Sequence, residues 1–486
     1  MIFNSVTYLV FLLIFVLIYW TLPKFPRLWL IFIFSIIFYG FWNAGFLLVM
    51  LLSTVVDYYC ALCIDNTKIQ KNKRFFLGFS LLINLGLLCY FKYLTFIMGN
   101  AVHVLNFFGL EVQAPILEIV LPLGISFYTF ESISYIVDVY RGFIRPEKNI
   151  LLYGCFVTFF PKLIAGPILR AAEMLPQFIE QPKFRLDVFV SGVRRILYGL
   201  FLKVVLADNI APIVDNGFLQ PISSLSALDV LTLAFLFGFQ IYFDFSAYSS
   251  IAIGSARLIG VHIPENFNFP YISSSPREFW QRWHISLSSW IRDYLYLPLQ
   301  GLKVKDRSVG GLSIDQKNEK ILRSPALALF LTWAIMGLWH GASWNFVIWG
   351  LLHALLITVY RLTKNYITKL PSFLRAFGGW LFTLIFVMLA WIPFRARTVE
   401  DTIAMYSKLF SVQNYLWLGM RENIYIITTL VFIFIISAYF FRKIGSYAVK
   451  DSRFIFLVAN TLLMTIVILL VFVFIRPISQ FIYFQF

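Results

Sequence analysis

The chain has 486 residues, 60% of them hydrophobic and 13% charged, with a mean hydropathy of +0.80. That much apolar side chain exceeds what a water-soluble domain can bury, so the expected solvent is a lipid bilayer. The net charge of +16 does not point to nucleic acid, because the Lys and Arg residues lie between apolar segments and form no continuous basic face; positive-inside topology and anionic headgroups account for it.

The apolar segments are too long and continuous for barrel strands, and a backbone in hydrocarbon must satisfy its own hydrogen bonds, which predicts an all-α polytopic protein. "VTYLVFLLIFVLIYWTL" is longer than a signal core, lacks a basic leader and a small-residue cleavage site, and reads as a retained first span. Candidate spans lie at about 5–22, 28–43, 45–64, 76–98, 119–140, 196–218, 228–253, 326–341, 345–361, 376–394, 424–441 and 454–475. Several are short for a crossing of ~20 residues, which allows 11–12 spans with some half-crossings. Cys60 and Cys63 form a CxxC inside an apolar helix without a second pair, where packing outweighs redox or metal chemistry.

Further along, Glu131 and Asp138 are seven apart and face the same way, and Asp244 sits in "QIYFDFSAYSS". These intramembrane carboxylates suit structural hydrogen bonding as well as catalysis. "YGCFVTFFPKLIAGPILR", with Pro161 and Gly166-Pro167, reads as a re-entrant hairpin buried in protein. Basic loops at 68–74, 141–148, 256–323 and 441–453 come out cytoplasmic under one alternating scheme, which puts both termini outside; "FRARTVED" at 394–401 departs from it.

The one long polar interruption, 254–325, is expected to begin with a helix lying on the cytoplasmic membrane surface. Ser275 and Glu278 form a capping box, Pro276 takes the first helical position, and Glu278 and Arg282 are an i, i+4 pair. Phe279, Trp283, Leu287, Trp290 and Tyr294 make one aromatic face. His284 on this helix reads by itself as an interfacial polar residue, and Arg277, Arg282 and Arg292 as basic groups able to meet an anionic co-substrate.

His340 stands in "GLWHGASWNFVIWG" among Trp339, Trp344 and Trp349. An ionisable group at membrane depth lines a cavity, does chemistry or bonds to a neighbouring helix. With Gly337 and Gly341 leaving room for a substrate, a neutral imidazole there suits a general base. His353 reads as a polar helix contact, His103 and His262 as loop residues. The last span, Phe454 to Ile475, leaves "FIYFQF" at, or folded back from, the extracytoplasmic face, with Tyr483 either an interfacial anchor or a chemical handle. No Walker loop, HExxH, GxSxG or dinucleotide fingerprint occurs, so metal- or nucleotide-driven chemistry is not expected.

"EFWQRWHISLSSWIRDYLYLPLQG" followed by "MGLWHGASWNFVIWG", together with "LPLGISFYTFESISYIVDVYRG", "FPKLIAGPILR" and "YFDFSAYS", resembles the membrane-bound O-acyltransferases (MBOAT), in particular the bacterial branch that acetylates alginate and peptidoglycan. Relatives often read FDFSGYSDMAIG, whereas Ala247 and Ser250 stand here. The resemblance spans nearly the whole chain and implies a single membrane domain, residues 1–486, shaped as a helical bowl with a central tunnel in the inner (cytoplasmic) membrane. It implies His340 as the catalytic histidine and His284 as a second characteristic one. It implies acetyl-CoA as donor, no metal, an extracytoplasmic SGNH-like partner and a polysaccharide acceptor. "FIYFQF" is similar to the C-terminal motif of a small protein of the teichoic acid D-alanylation system, which implies Tyr483 as an acyl carrier in an extracytoplasmic tail at 476–486. D-alanyl transfer and a polytopic transporter or flippase are the alternatives; the chain lacks the paired broken helices of repeated transporter halves.

Overall fold

Residues 1–113, 117, 119–308, 311–315, 324–448, 453–477 and 481–482 are described in the computed structural model. The longest helix, Ala227–Leu258, opens with a capping box in which Ser226 Oγ accepts the Asp229 N–H at 3.1 Å and Asp229 accepts the Ser226 N–H at 2.7 Å. Apolar on all sides, it is buried along most of its length and forms the hub. Leu186–Leu200, the wide turn Phe201–Ala207 and Asp208–Leu219 pack along it from one side, Ser372–Arg395 from another. Rim helices such as Glu422–Ala448 turn large apolar side chains outward, among them Leu48, Leu82 and Leu430, over an area that only hydrocarbon solvates without penalty.

Seven described helices are long and apolar enough to cross a membrane, and Val6–Thr21, Pro325–His340 and Thr461–Val473 are shorter apolar helices. Each expected span overlaps a helix, but Gln70–Phe107 and Leu186–Leu219 run well past the expected starts. Lys71, Lys73, Arg194 and Arg195 continue these helices, because long basic side chains reach the polar boundary from within a helix. Among the described residues the helical expectation has one exception, an antiparallel pairing of Lys303–Ser308 with Gly311–Asp315 inside the polar insert. The discordant charge at 394–401 has a local explanation: Arg395 donates to Asp215 at 2.6 Å, so it arrives neutralised.

The Pro- and Gly-bearing segment is a broken helix. Ile150–Thr158 stops at Phe159, Phe160–Leu163 makes one turn, and an extended stretch leads to Ala171–Glu180. All of 152–170 is buried. Glu131 braces it: one carboxylate oxygen pairs with Lys162 and the other accepts the Leu169 N–H at 2.9 Å. Asp138 accepts the Tyr294 hydroxyl at 2.7 Å. Both carboxylates serve as structural acceptors.

The expected surface helix is not continuous. Pro276–Arg282 ends at Trp283, and Ile285–Ile291 begins after His284, whose φ of 41° and ψ of 56° are left-handed. The cause is Asn266. Its carbonyl takes the Ile285 N–H at 2.9 Å, while its Oδ1 accepts from the Ser286 N–H at 3.2 Å and the Ser286 hydroxyl at 2.9 Å. Nearby, the Asn268 N–H donates to Arg282 O at 2.9 Å. Backbone groups that would close the next helical turn are thus diverted to the 266–268 segment. The capping box is also offset by one residue: Ser275 Oγ accepts the Glu278 N–H at 3.2 Å, but Glu278 accepts from Ser274 N at 2.8 Å. The aromatic face looks into the protein, with Trp283 and Leu287 fully enclosed and Trp290 stacked 3.9 Å from Phe130.

Gly337 and Gly341 do not leave space for a substrate. A Cβ on Gly337 would overlap the Phe346 carbonyl oxygen, and one on Gly341 would overlap the Phe346 ring, so both allow Pro325–His340 to lie close to Trp344–Ile367. Gly337→Ala is expected to force two backbones apart at a cost of about 3 kcal/mol, read as a lowered Tm of the detergent-purified protein.

Candidate active site

His340 ends the helix Pro325–His340, and its ring is boxed by Trp339 at 4.9 Å, Trp349 at 4.8 Å and Phe394 at 5.3 Å between centroids. Lys92 holds that helix end, its ammonium donating to the carbonyls of Trp339 and His340. A cation at a helix C-terminus is favoured by the macrodipole and satisfies carbonyls that the helix leaves open. His340, Lys92 and Trp339 line a cavity of about 370 Å³ whose other walls include Met1, Trp42 and Phe127.

His284 lies one indole away. Its ring centroid is 6.4 Å from that of Trp339, which is itself 4.9 Å from His340. It is fully buried, not interfacial: Nδ1 faces Asn266 Oδ1 at 3.2 Å, and Nε2 has no hydrogen-bond partner among the described residues. Phe245 packs edge-on against it at 4.6 Å.

The three arginines do not converge. Arg277 and Arg292 line a second cavity, of about 510 Å³, with Arg361, Lys364, Ser288 and Ser289. Arg282 turns away, bonded to Glu278 at 2.9 Å and to Asn268 O at 3.1 Å. The basic cavity lies toward the far end of Trp344–Ile367: Arg361 is 17 residues past Trp344, ~25 Å along a helix. Between them stand Trp349, His353 and Trp280. Trp280 reaches the basic cavity and packs 5.0 Å from His353 and 6.0 Å from Trp349. His353 is no polar helix contact. It is fully buried among Phe279, Trp280, Trp333 and Trp349, and neither ring nitrogen has a hydrogen-bond partner among the described residues. His103 sits exposed on Leu94–Phe107, and His262 in an exposed loop.

Tyr483 lies outside the described residues. The two residues before it are inside the protein: Phe481 packs 4.2 Å from Tyr248 and 5.6 Å from Phe245, and the Ile482 N–H donates to Asp244 Oδ2 at 2.9 Å. A run of rings thus connects Phe481 through Phe245, His284 and Trp339 to His340. Sequence reasoning passed over Lys92, whose signal was a lone charge in the span "LLCYFKYLTF", and Asn266, which carried none.

This architecture defines a multi-pass helical membrane protein whose buried histidines stand behind indole walls between two cavities. The chain belongs to the membrane-bound O-acyltransferase family, whose family model (MBOAT) matches residues 144–397, a stretch that includes the broken helix, the hub and both histidines. It is 36% identical over 449 residues to the probable alginate O-acetylase AlgI of Azotobacter vinelandii, covering 91% of this chain and 85% of that protein. It is also 36% identical over 409 residues to the peptidoglycan O-acetyltransferase of Helicobacter pylori, covering 78% and 73%. Similarity to the teichoic acid D-alanyltransferase of Bacillus subtilis is 31% over 262 residues and covers 51% of this chain. The protein is therefore an enzyme, a multi-pass membrane acyltransferase that uses an acyl donor.

Proposed function

We propose that the chain takes acetyl from cytoplasmic acetyl-CoA and passes it across the inner membrane for O-acetylation of an envelope or extracellular polysaccharide. The supporting observation is the arrangement around His340: a buried imidazole lining one cavity, with Trp349, His353 and Trp280 in ring contact one after another from it to a basic cavity toward the far end of Trp344–Ile367. Acetyl-CoA is a large anion and does not cross hydrocarbon. Arg277, Arg292, Arg361 and Lys364 suit its phosphates, and the narrow aromatic partition suits a thin thioester arm.

The acyl group then has to change carriers. His340 removes the phenolic proton of Tyr483, the oxygen bonds to the acetyl carbon, the C–S bond breaks, and the thiolate leaves and takes up the proton. The phenyl ester stays activated, because a phenol is a better leaving group than an aliphatic alcohol. An extracytoplasmic SGNH-like partner accepts the group and delivers it to the polymer. His284 borders the site and helps shape it. The extent of similarity to O-acetylating relatives favours acetyl over D-alanyl transfer.

Incubating purified protein with isotope-labelled acetyl-CoA and mapping the label by intact-protein and peptide mass spectrometry tests this. The expected result is a single acetyl on Tyr483. Absence of protein-bound acetyl, with polymer still acetylated, would remove the relay.

A further inference from the structure

Lys203, Asp208 and Asp244 form a buried ionic cluster to which the transfer chemistry assigns no task. The Lys203 ammonium lies 2.9 Å from Asp208 Oδ1 and 2.8 Å from Asp244 Oδ1, and all three side chains are within 8% of full burial. Two carboxylates share one ammonium, and the second oxygen of Asp244 takes a further donor. The donor is the chain's own tail: the Ile482 N–H meets Asp244 Oδ2 at 2.9 Å. One turn along the hub helix, and hence on the same face, Tyr248 receives the Phe481 ring at 4.2 Å. The Lys203 ammonium stands 5.6 Å from the centroid of that same tyrosine ring.

Position and backbone both favour a binding role. Lys203 lies on the wide helical turn Phe201–Ala207, a type of irregularity concentrated at functional sites. Phe245, between the two anchoring residues, touches Phe481 on one side and His284 on the other, so the cluster is one ring away from the histidine region. Charge-assisted acceptance of a backbone N–H is strong and independent of the side chain, whereas the stack on Tyr248 selects an aromatic ring.

We infer that Lys203, Asp208, Asp244 and Tyr248 form a socket for an aromatic C-terminal strand, occupied here by the chain's own Phe481 and Ile482. The purpose of the socket, presenting the residue after Ile482 for acylation, rests on the function proposed above; its geometry does not. Asp244 and Tyr248 are positioning residues: they hold the strand and take no part in bond making.

The test places a thiol at the strand. In the full-length, detergent-purified protein, Cys63→Ser and Cys89→Ser remove the accessible thiols while Cys60 and Cys155 stay buried, and Ile482→Cys keeps the backbone donor. Maleimide labelling at position 482 is followed by intact mass. Labelling should be slow in this parent and about tenfold faster with Asp244→Leu, with Asp244→Asn falling between because the amide still accepts a neutral hydrogen bond. Tyr248→Ala should release the strand from the ring side; it removes a ring beside the Lys203 ammonium but leaves the ion pairs of Lys203 with Asp208 and Asp244 in place, so a folding failure of Asp244→Leu does not remove the test. Equal labelling in the parent and in Asp244→Asn and Tyr248→Ala would overturn the socket. Tyr483→Phe should leave labelling at 482 unchanged. Released labelling without any acetyl on Tyr483 would sink the carrier reading and leave the socket standing, whereas equal labelling with acetylated Tyr483 would sink the socket alone.

Discussion

His340→Ala should lower acetyl loading from labelled acetyl-CoA by at least ~100-fold, the range over which positioned acid–base groups contribute. The proposed nucleophile is a hydroxyl, and the imidazole that lines the cavity, boxed by Trp339, Trp349 and Phe394, is the base assigned to take its proton. Alanine would also leave a gap between the indoles, so yield and Tm must be measured alongside. His340→Gln comes closer to the volume of the ring and keeps hydrogen-bonding capacity but cannot act as a base, and it should be as inactive as the alanine variant while melting close to wild type. Loading at wild-type rates in a folded His340→Gln protein would take His340 out of the mechanism. His284 makes a poorer single test, because its left-handed backbone penalises alanine independently of any chemistry. His284→Asn avoids that penalty, since Asn tolerates this conformation better than most residues. A smaller loss there than at His340 is the expected ranking, checked by the same loading assay.

The contrast between these histidines also shows what could be read from the sequence. The spans were legible because hydrocarbon demands continuous apolar runs, and the broken segment because Pro161 and Gly166-Pro167 interrupt one. The placement of His340 was legible for the same reason: an imidazole in an apolar run is expected at membrane depth, and it is buried there lining a cavity. The break at His284 was not. Phe279, Trp283, Leu287, Trp290 and Tyr294 fit one unbroken helix, and the competitor that ends it, Asn266, lies 18 residues upstream with no periodic mark. Gly337 and Gly341 were visible as special, but whether a glycine makes room or permits close approach depends on the facing helix, here Phe346. The Glu278–Arg282 pair was visible in the spacing, but Arg282 is also bonded to Asn268, 14 residues upstream, away from the cavity that Arg277 and Arg292 line, and that partner left no mark in the spacing. The tail was hardest, because its acceptor lies 238 residues earlier. Long-range polar pairing inside a membrane protein is set by which helices become neighbours, and span hydropathy does not encode that.

Tyr483→Phe should abolish polysaccharide O-acetylation while leaving the protein folded and abundant. The substitution removes one oxygen and keeps the ring, so an interfacial anchor would lose almost nothing: phenylalanine occupies the headgroup boundary too. A carrier would lose everything, because the carrier step has no other atom in that ring to bond to the acetyl carbon. The two roles therefore diverge at a single atom, and polymer-bound acetate in cells carrying the variant reads the difference. Tyr483→Ser adds a second discrimination. Serine supplies a hydroxyl but is shorter by a ring, and an aliphatic ester would hold acetyl more firmly than a phenyl ester. It should be inactive overall, and any acetyl it does acquire should stay on the protein. Asp244 and Tyr248 hold the preceding two residues beside the ring that borders His284. The loss in Tyr483→Phe should therefore appear with the strand still seated, separating failure of chemistry from failure of placement.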